Sequence, residues 1–205
     1  MKKTIRIILN FFLFIAPLAA WILMFRGISG VLSSRGIMSL KYFTVLSNLL
    51  ESAASAVWLL CTFLHGRSHR AEVFKYTACL CVFLTFFTVM VFLGPLFGYP
   101  SMFAGANLWL HLIVPVAAIA EMLLLVREPF SIQENLLAVV PVICYGSVYL
   151  GNIILHGRGD NVTGWNDFYG FAAWGIPVGM VIFAVICLVV FGAGLLVRKL
   201  TDREE

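Results

Sequence analysis

Residues 171–197 read FAAWGIPVGMVIFAVICLVVFGAGLLV, a continuous apolar run without a charged side chain. A helix needs about 20 such residues to cross the hydrocarbon core of a bilayer. Five shorter apolar runs precede this one, and together the six cover residues 6–25, 41–64, 74–95, 107–126, 136–155 and 171–197. The pattern predicts an all-α, polytopic transmembrane helical bundle with six transmembrane helices. We expect residues 1–205 to form one integral membrane domain.

The composition excludes several classes of protein. Of the 205 residues, 61% are hydrophobic and 12% are charged, and the formal net charge is +4. The mean hydropathy is +0.99. A soluble domain is about 45–50% apolar and about 25% charged, so this chain is neither an ordinary soluble enzyme nor a disordered chain. Because the basic residues form no stripe, a nucleic-acid-binding protein is excluded as well.

The basic residues outside the membrane predict the orientation of the helices. With the N-terminus inside, ten basic residues lie on inner segments and four on outer segments. The inner ones are Lys2, Lys3, Arg6, Arg67, Arg70, Lys75, Arg127, Arg198, Lys199 and Arg203, and the outer ones are Arg26, Arg35, Lys41 and Arg158. We therefore expect both termini in the cytoplasm. In a bacterial host the protein would be a multi-pass protein of the cell membrane.

The start of the chain has two interpretations. Lys2, Lys3 and Arg6 resemble the basic region of a signal peptide, and the segment 18–20, Leu-Ala-Ala, resembles a cleavage site. The apolar run continues to Phe25, however, which is longer than the apolar region of a usual signal peptide. This length favours an uncleaved first transmembrane helix.

Ionisable side chains inside a bilayer are energetically unfavourable, so they mark functional sites. The apolar runs contain Glu51 in the second run, and His111 and Glu121 in the fourth. The second run also carries polar residues at i, i+4, i+7 and i+11, which are Thr44, Asn48, Glu51 and Ser55. This spacing places them on one helix face. We expect that face to point into the bundle rather than toward lipid.

Thr44 and His111 form the candidate reactive pair. At a rise of 1.5 Å per residue, both lie roughly 5–6 Å below the outer interface. A hydroxyl beside an imidazole at the same depth is the minimum for nucleophilic acyl transfer, in which the histidine takes the proton and then returns it to the leaving group. Asn107 shares a helix face with His111, whereas Glu121 lies about 80° away around the helix.

Each of these residues also has a structural interpretation, which spacing alone favours for Thr44 and His111. Threonine hydroxyls in membrane helices commonly hydrogen-bond the carbonyl group four residues earlier. A single histidine near an interface is more often a structural residue. Asn48 and Glu51 could equally well join neighbouring helices through hydrogen bonds.

The second and fourth runs resemble those of the androgen-induced membrane protein family. The similarity rests on Phe43-Thr44 within residues 41–48, on Asn107-x3-His111 followed by Pro115 and Glu121-Met122, and on Val162-Thr163-Gly164 in the outer loop. The order and spacing of the apolar runs match too, so the resemblance covers most of the chain. Residues 164–169 lack the Tyr-Pro pair of relatives, which leaves the substrate open. The short loops suggest a microbial relative.

The resemblance implies a multipass membrane hydrolase with a threonine nucleophile and a histidine base, acting on fatty acid esters of hydroxy fatty acids. By position, Thr44 would be the nucleophile and His111 the base. Asn48 and Asn107 are the nearest side-chain amides for an oxyanion, and Glu51 either orients His111 or holds the polar stripe. The residues expected to support the site or bind substrate are Asn48, Glu51, Asn107 and Glu121. The expected partner is a membrane lipid or fatty-acyl ester, and we expect no nucleic acid, cofactor or metal ion.

Three alternatives stay open from the sequence. A transporter would use Glu51, His111 and Glu121 as a proton relay. A non-catalytic lipid-binding protein would use Thr44 and His111 only for packing. Within the enzyme class, the acyl group could pass to an alcohol instead of water.

Overall fold

The computed structural model describes residues 2–27, 36–64, 66–157 and 167–201. Within these ranges, six helices are long and apolar enough to cross a membrane: α1 Lys2–Phe25, α2 Phe43–Leu64, α3 His69–Phe97, α4 Ala106–Leu125, α5 Ile132–His156 and α6 Ile176–Thr201. A 3₁₀ helix, Gly36–Lys41, precedes α2, and a short helix, Tyr99–Met102, lies between α3 and α4. The prediction of an all-α, six-helix transmembrane bundle is confirmed. The side of the membrane on which the termini lie stays a prediction.

Helix α3 is the central helix of the bundle. It packs against α2, α4, α5 and α6, while α1 packs against α2 and α4, and α5 packs against α6. The main core contains buried side chains of α3 together with those of α4 and α5, such as Leu80, Val114 and Ala138. One end of the bundle carries Lys2, Arg67 and Arg127, which line a common cavity; we call it the N-terminal end, and the other end the site end.

Helix α3 begins earlier than the apolar run predicts. It starts at His69 rather than at residue 74, and the Ala71 amide donates to the Ser68 side chain at its N-terminus. The first turns of α3 contain Glu72 and Lys75, which are buried against charged partners. A hydropathy pattern cannot identify these turns as part of a buried helix, because their side chains are charged although they lie inside the bundle. Lys75, counted above among the basic residues of the inner segments, is thus buried inside the bundle.

Helix α6 begins later than predicted, at Ile176 rather than at residue 171. The carboxylate of Asp167 accepts hydrogen bonds from the backbone amides of Phe171 and Ala172, both at 2.8 Å. These bonds hold residues 171–174 in turns before the helix starts. Apolar composition alone could not separate these turns from the helix that follows.

Two helices contain a π-helical turn, and each is followed by a proline. The turns are Val89–Leu93 in α3 and Trp109–Ile113 in α4, and Pro95 and Pro115 are each the second residue after the turn. Proline has no N–H to donate, and its ring collides with the carbonyl group four residues earlier. Widening the preceding turn accommodates this conflict. Single π-helical turns occur frequently at functional sites, and the second one contains His111.

Candidate active site

Thr44 lies in the first turn of α2, at the site end, and is half-buried. It lines a cavity of about 110 Å³ between α2, α3, α5 and α6. Most of the lining is apolar, and the other hydroxyl-bearing residues that line it are Thr85, Thr88, Tyr145, Tyr149 and Tyr169. Within the described part of the chain, the Thr44 side chain makes no hydrogen bond, including none to the carbonyl group four residues earlier. Its hydroxyl is therefore available to a molecule in the cavity.

Asn48 joins α2 to α4 one turn deeper than Thr44. Its amide nitrogen donates to the carbonyl oxygen of Thr44 at 2.8 Å and to that of Leu110 at 2.9 Å. Both N–H groups of the amide thus have backbone partners, so Asn48 has none left for an oxyanion. It serves instead to position α2 beside α4, and its side-chain oxygen is buried without a partner.

His111 is buried in the π-helical turn of α4, and its ring is held by one hydrogen bond. The Nδ1 atom lies 2.8 Å from the carbonyl oxygen of Met102. A carbonyl oxygen only accepts, so Nδ1 must carry the proton, and in a neutral ring Nε2 then has the free lone pair. This is the tautomer that a general base requires.

The backbones that carry Thr44 and His111 are close together. Their link is the amide of Asn48, which bonds the carbonyl oxygen of Thr44 and that of Leu110, the residue before His111. The two side chains are not hydrogen-bonded to each other, and His111 does not line the cavity that contains Thr44. The structure thus places the helix segments of the candidate pair side by side without a contact between the reactive atoms.

Asn107 lies one turn before His111 and is buried. Its side-chain oxygen has no hydrogen-bond partner among the described residues. Its position on α4 keeps it in the group expected to support the site. The outer-loop run Val162-Thr163-Gly164 lies outside the described residues.

Tyr169 is a candidate site residue that the sequence did not point to. Its hydroxyl oxygen accepts a hydrogen bond at 3.0 Å from the backbone amide of Phe43, the residue before Thr44. The Tyr169 side chain also lines the same cavity as Thr44. Desolvation of the hydroxyl group raises the pKa of Tyr169 to about 12. The group therefore keeps its proton at neutral pH and can donate it in a hydrogen bond. No helical periodicity connects a loop residue with the start of α2, so only the folded chain reveals the pairing.

Glu51 and Glu121 belong to a different group of residues. Glu51 accepts from Lys75 and from the hydroxyl of Ser55, and Lys75 Nζ lies 2.9 Å from Glu121 Oε2. Glu121 also accepts from Asn10 at 2.6 Å. Among the described residues neither carboxylate contacts His111, so of the two roles considered for Glu51 the contacts support the one in the polar stripe.

Arg6 extends this group toward the N-terminal end of the bundle. Its guanidinium group donates to Glu72 at 2.7 Å and to Glu121 at 2.9 Å, and it lies over the ring of Trp58. The indole of Trp58 donates to Glu72 at 2.8 Å. We define the charged network as the five ionisable residues joined in this way, which are Arg6, Glu51, Glu72, Lys75 and Glu121.

The sequence reasoning missed three members of the charged network. Arg6, Glu72 and Lys75 lie near the ends of apolar runs, where charged residues usually contact water or headgroups. A usable indication was the i, i+3 spacing of Glu72 and Lys75, which places both on one helix face. Their partners are on other helices, so the pairing itself required the fold.

The described residues contain no cluster of three or more His, Cys, Asp or Glu side chains that could hold a metal ion. No family model, no curated protein and no solved structure matches the chain. The residues and their geometry are therefore the basis for a functional proposal.

Proposed function

We propose that the chain is a membrane-embedded hydrolase of fatty-acyl esters, with Thr44 as nucleophile and His111 as general base. The observation that carries the proposal is the unbonded Thr44 hydroxyl at an apolar cavity, beside the helix turn that presents His111 with a free Nε2. The resemblance of residues 41–48 and 107–122 to the androgen-induced family supports the same two residues. Fatty acid esters of hydroxy fatty acids are the corresponding substrate class.

The reaction has two steps. Thr44 Oγ1 attacks the ester carbonyl while its proton passes to His111 Nε2, and that proton then goes to the departing alkoxide. Water attacks the resulting acyl-threonine with His111 again acting as base, which releases the fatty acid and restores the hydroxyl. In this mechanism the contact between Oγ1 and Nε2 forms when substrate binds, since catalytic hydrogen bonds are often long or poorly aligned before that.

Tyr169 supplies a hydrogen-bond donor for this mechanism. Its side chain lines the cavity, and its neutral hydroxyl group lies at the first turn of α2, where it accepts from the Phe43 amide. In the mechanism it donates to the oxyanion that develops on the ester carbonyl. The apolar lining holds the acyl chain and excludes bulk water, which strengthens such a hydrogen bond.

A fluorophosphonate probe tests the nucleophile. We expect the purified protein to form a covalent adduct that peptide mass spectrometry locates on Thr44. Thr44→Ala removes the adduct, and Thr44→Ser keeps it because the hydroxyl remains. Ser47→Ala is the matched control, since Ser47 lies one turn away but its hydroxyl is bonded to Thr85 at 2.9 Å. An adduct that survives Thr44→Ala would overturn the proposed nucleophile.

The alternatives give different results in the same preparation. A proton-coupled transporter gives flux into liposomes and no adduct. A lipid-binding protein retains lipid through purification but does not turn it over. Product analysis with an added long-chain alcohol separates hydrolysis from acyl transfer, since transfer gives a new ester instead of a free acid.

Replacement of Tyr169 by Phe is expected to lower kcat by about 10²-fold, the usual loss when one oxyanion donor is removed. The ring and its contacts in the cavity remain, so KM should change little. Tyr99→Phe is the control, because the Tyr99 hydroxyl donates to the Met90 carbonyl and does not line the cavity. Ester turnover by purified protein in nanodiscs provides the measurement, and equal kcat values for both variants would contradict the role of Tyr169.

A further inference from the structure

The charged network contains more acidic than basic side chains. It has three carboxylates and two cations, drawn from four helices: Arg6 on α1, Glu51 on α2, Glu72 and Lys75 on α3, and Glu121 on α4. The four residues other than Arg6 have 2% exposure or less. Burying an unpaired charge is strongly unfavourable. With all five groups ionised, the network would hold one uncompensated negative charge inside the membrane.

The three carboxylates differ in the number of donors that reach them. Glu72 accepts two hydrogen bonds from Arg6 and one from Trp58. Glu121 accepts from Arg6 and Asn10 and pairs with Lys75. Glu51 accepts hydrogen bonds from Lys75 and Ser55, both on the same oxygen, Oε1. Its other oxygen, Oε2, has no hydrogen bond, so Glu51 is the least stabilised of the three as a carboxylate.

The buried polar atoms without a hydrogen-bond partner show the same imbalance. In the described part of the chain these atoms are all side-chain oxygens, on Asn10, Asn48, Glu51 and Asn107. Asn48 precedes Glu51 by three residues, so the two lie on one face of α2. The buried polar groups therefore include acceptors that no donor reaches, and an added proton would supply a donor. A proton on Glu51 would turn one spare acceptor into a donor and remove the excess charge.

A polar cavity connects the network with the N-terminal end of the bundle. The cavity has a volume of about 340 Å³, and its lining includes Lys2, Arg6, Trp58, Arg67 and Glu72. Arg6 and Glu72 belong to both the cavity and the network. Protons in the water at this end therefore have an entry at Glu72 and Arg6.

We propose that the charged network is a proton-binding site, in which Glu51 holds one exchangeable proton that enters from this cavity. The groups that face Glu51 are Lys75, Cys79 and Cys81 on α3 and Glu121 on α4, with Arg6 of α1 joined through Glu121. The step is the addition of one proton to the Glu51 carboxylate, which gives a neutral carboxylic acid and a network without net charge. This site is separate from the ester chemistry at Thr44.

Infrared spectroscopy of the full-length protein in nanodiscs at neutral pH tests the site. A protonated carboxylic acid has a C=O stretching band that is distinct from the carboxylate bands and shifts in D₂O. We expect a band equivalent to one acid per chain, and its loss in Glu51→Gln. We expect it to double in Lys75→Met, because removal of a cation leaves two excess carboxylates. Glu134→Gln is the control: Glu134 lies outside the network, and glutamine can keep its capping box.

Two results would overturn the proposal: the absence of the band in the wild-type protein, and a band that survives Glu51→Gln. If the band is absent and the thermal stability rises with sodium but not with choline, a sodium ion balances the charge instead. Circular dichroism establishes that each variant is folded. If Lys75→Met does not fold, the wild-type and Glu51→Gln spectra still decide the matter.

Discussion

Replacement of His111 by Ala is expected to lower the turnover of a fatty-acyl ester by about 10²–10⁴-fold, the usual contribution of a general acid–base group. Without the imidazole, the Thr44 hydroxyl keeps its proton and is a poor nucleophile. The main effect should be on kcat, because His111 does not line the cavity that would hold the acyl chain. The measurement is ester turnover by the purified protein in nanodiscs.

Two further variants separate the chemical role of His111 from its structural role. His111→Gln can still donate a hydrogen bond to the Met102 carbonyl but cannot act as a base, so it should lose as much activity as His111→Ala. His69→Ala is the matched control, because His69 is half-exposed at the N-terminal end of the bundle, where it contacts Glu134. Full activity in His111→Gln would mean that the ring only holds the helix turn.

Replacement of Arg6 by Gln is expected to lower the free energy of unfolding by about 3–5 kcal/mol, the range found when one partner of a buried ion pair is removed. Arg6 bonds Glu72 and Glu121 at the same time. Its loss leaves two buried carboxylates short of donors and adds to the excess negative charge. Equilibrium unfolding in mixed detergent micelles would measure the change.

The matched control for Arg6 is Arg67 at the surface of the same cavity. Its side chain is 69% exposed and pairs with the buried Glu128, which also has His69 as a partner. Glu128 keeps that second partner and the Arg67 charge lies in water, where ion pairs contribute little, so Arg67→Gln should lower the stability much less than Arg6→Gln. Equal effects for the two arginines would show that water reaches the charged network freely, which would contradict its burial.

The polar face of α2 serves two regions of the molecule. At the site end, Thr44 lines the cavity and Asn48 fastens α2 to α4. Deeper in the bundle, Glu51 and Ser55 join the buried lysine of α3. The i, i+4, i+7, i+11 spacing predicts a common face, and the structure agrees. The spacing cannot predict that the two halves of that face contact different helices.

The helix boundaries show which parts of the fold the hydropathy pattern predicts and which parts it does not. The apolar runs predict α2, α4 and α5 to within a few residues, because an apolar helix in lipid needs no partner to be recognised. They miss residues 69–73, the first turn and a half of α3, where Glu72 is internal. They also include residues 171–174 in the last helix, although the Asp167 carboxylate holds those residues in turns.

The sequence by itself determined the all-α class and the number of apolar helices long enough to span a membrane, because hydropathy is summed over local segments. The choice of Thr44 and His111 for the proposed chemistry rests on the resemblance of their segments to a known family. Only the tertiary structure decided which polar groups meet: Asn48 with the carbonyl of Leu110, Tyr169 with the start of α2, and Lys75 with Glu51 and Glu121. The reason is physical, since a buried polar group is stabilised by partners that come from distant parts of the chain. Their identity depends on how the helices pack.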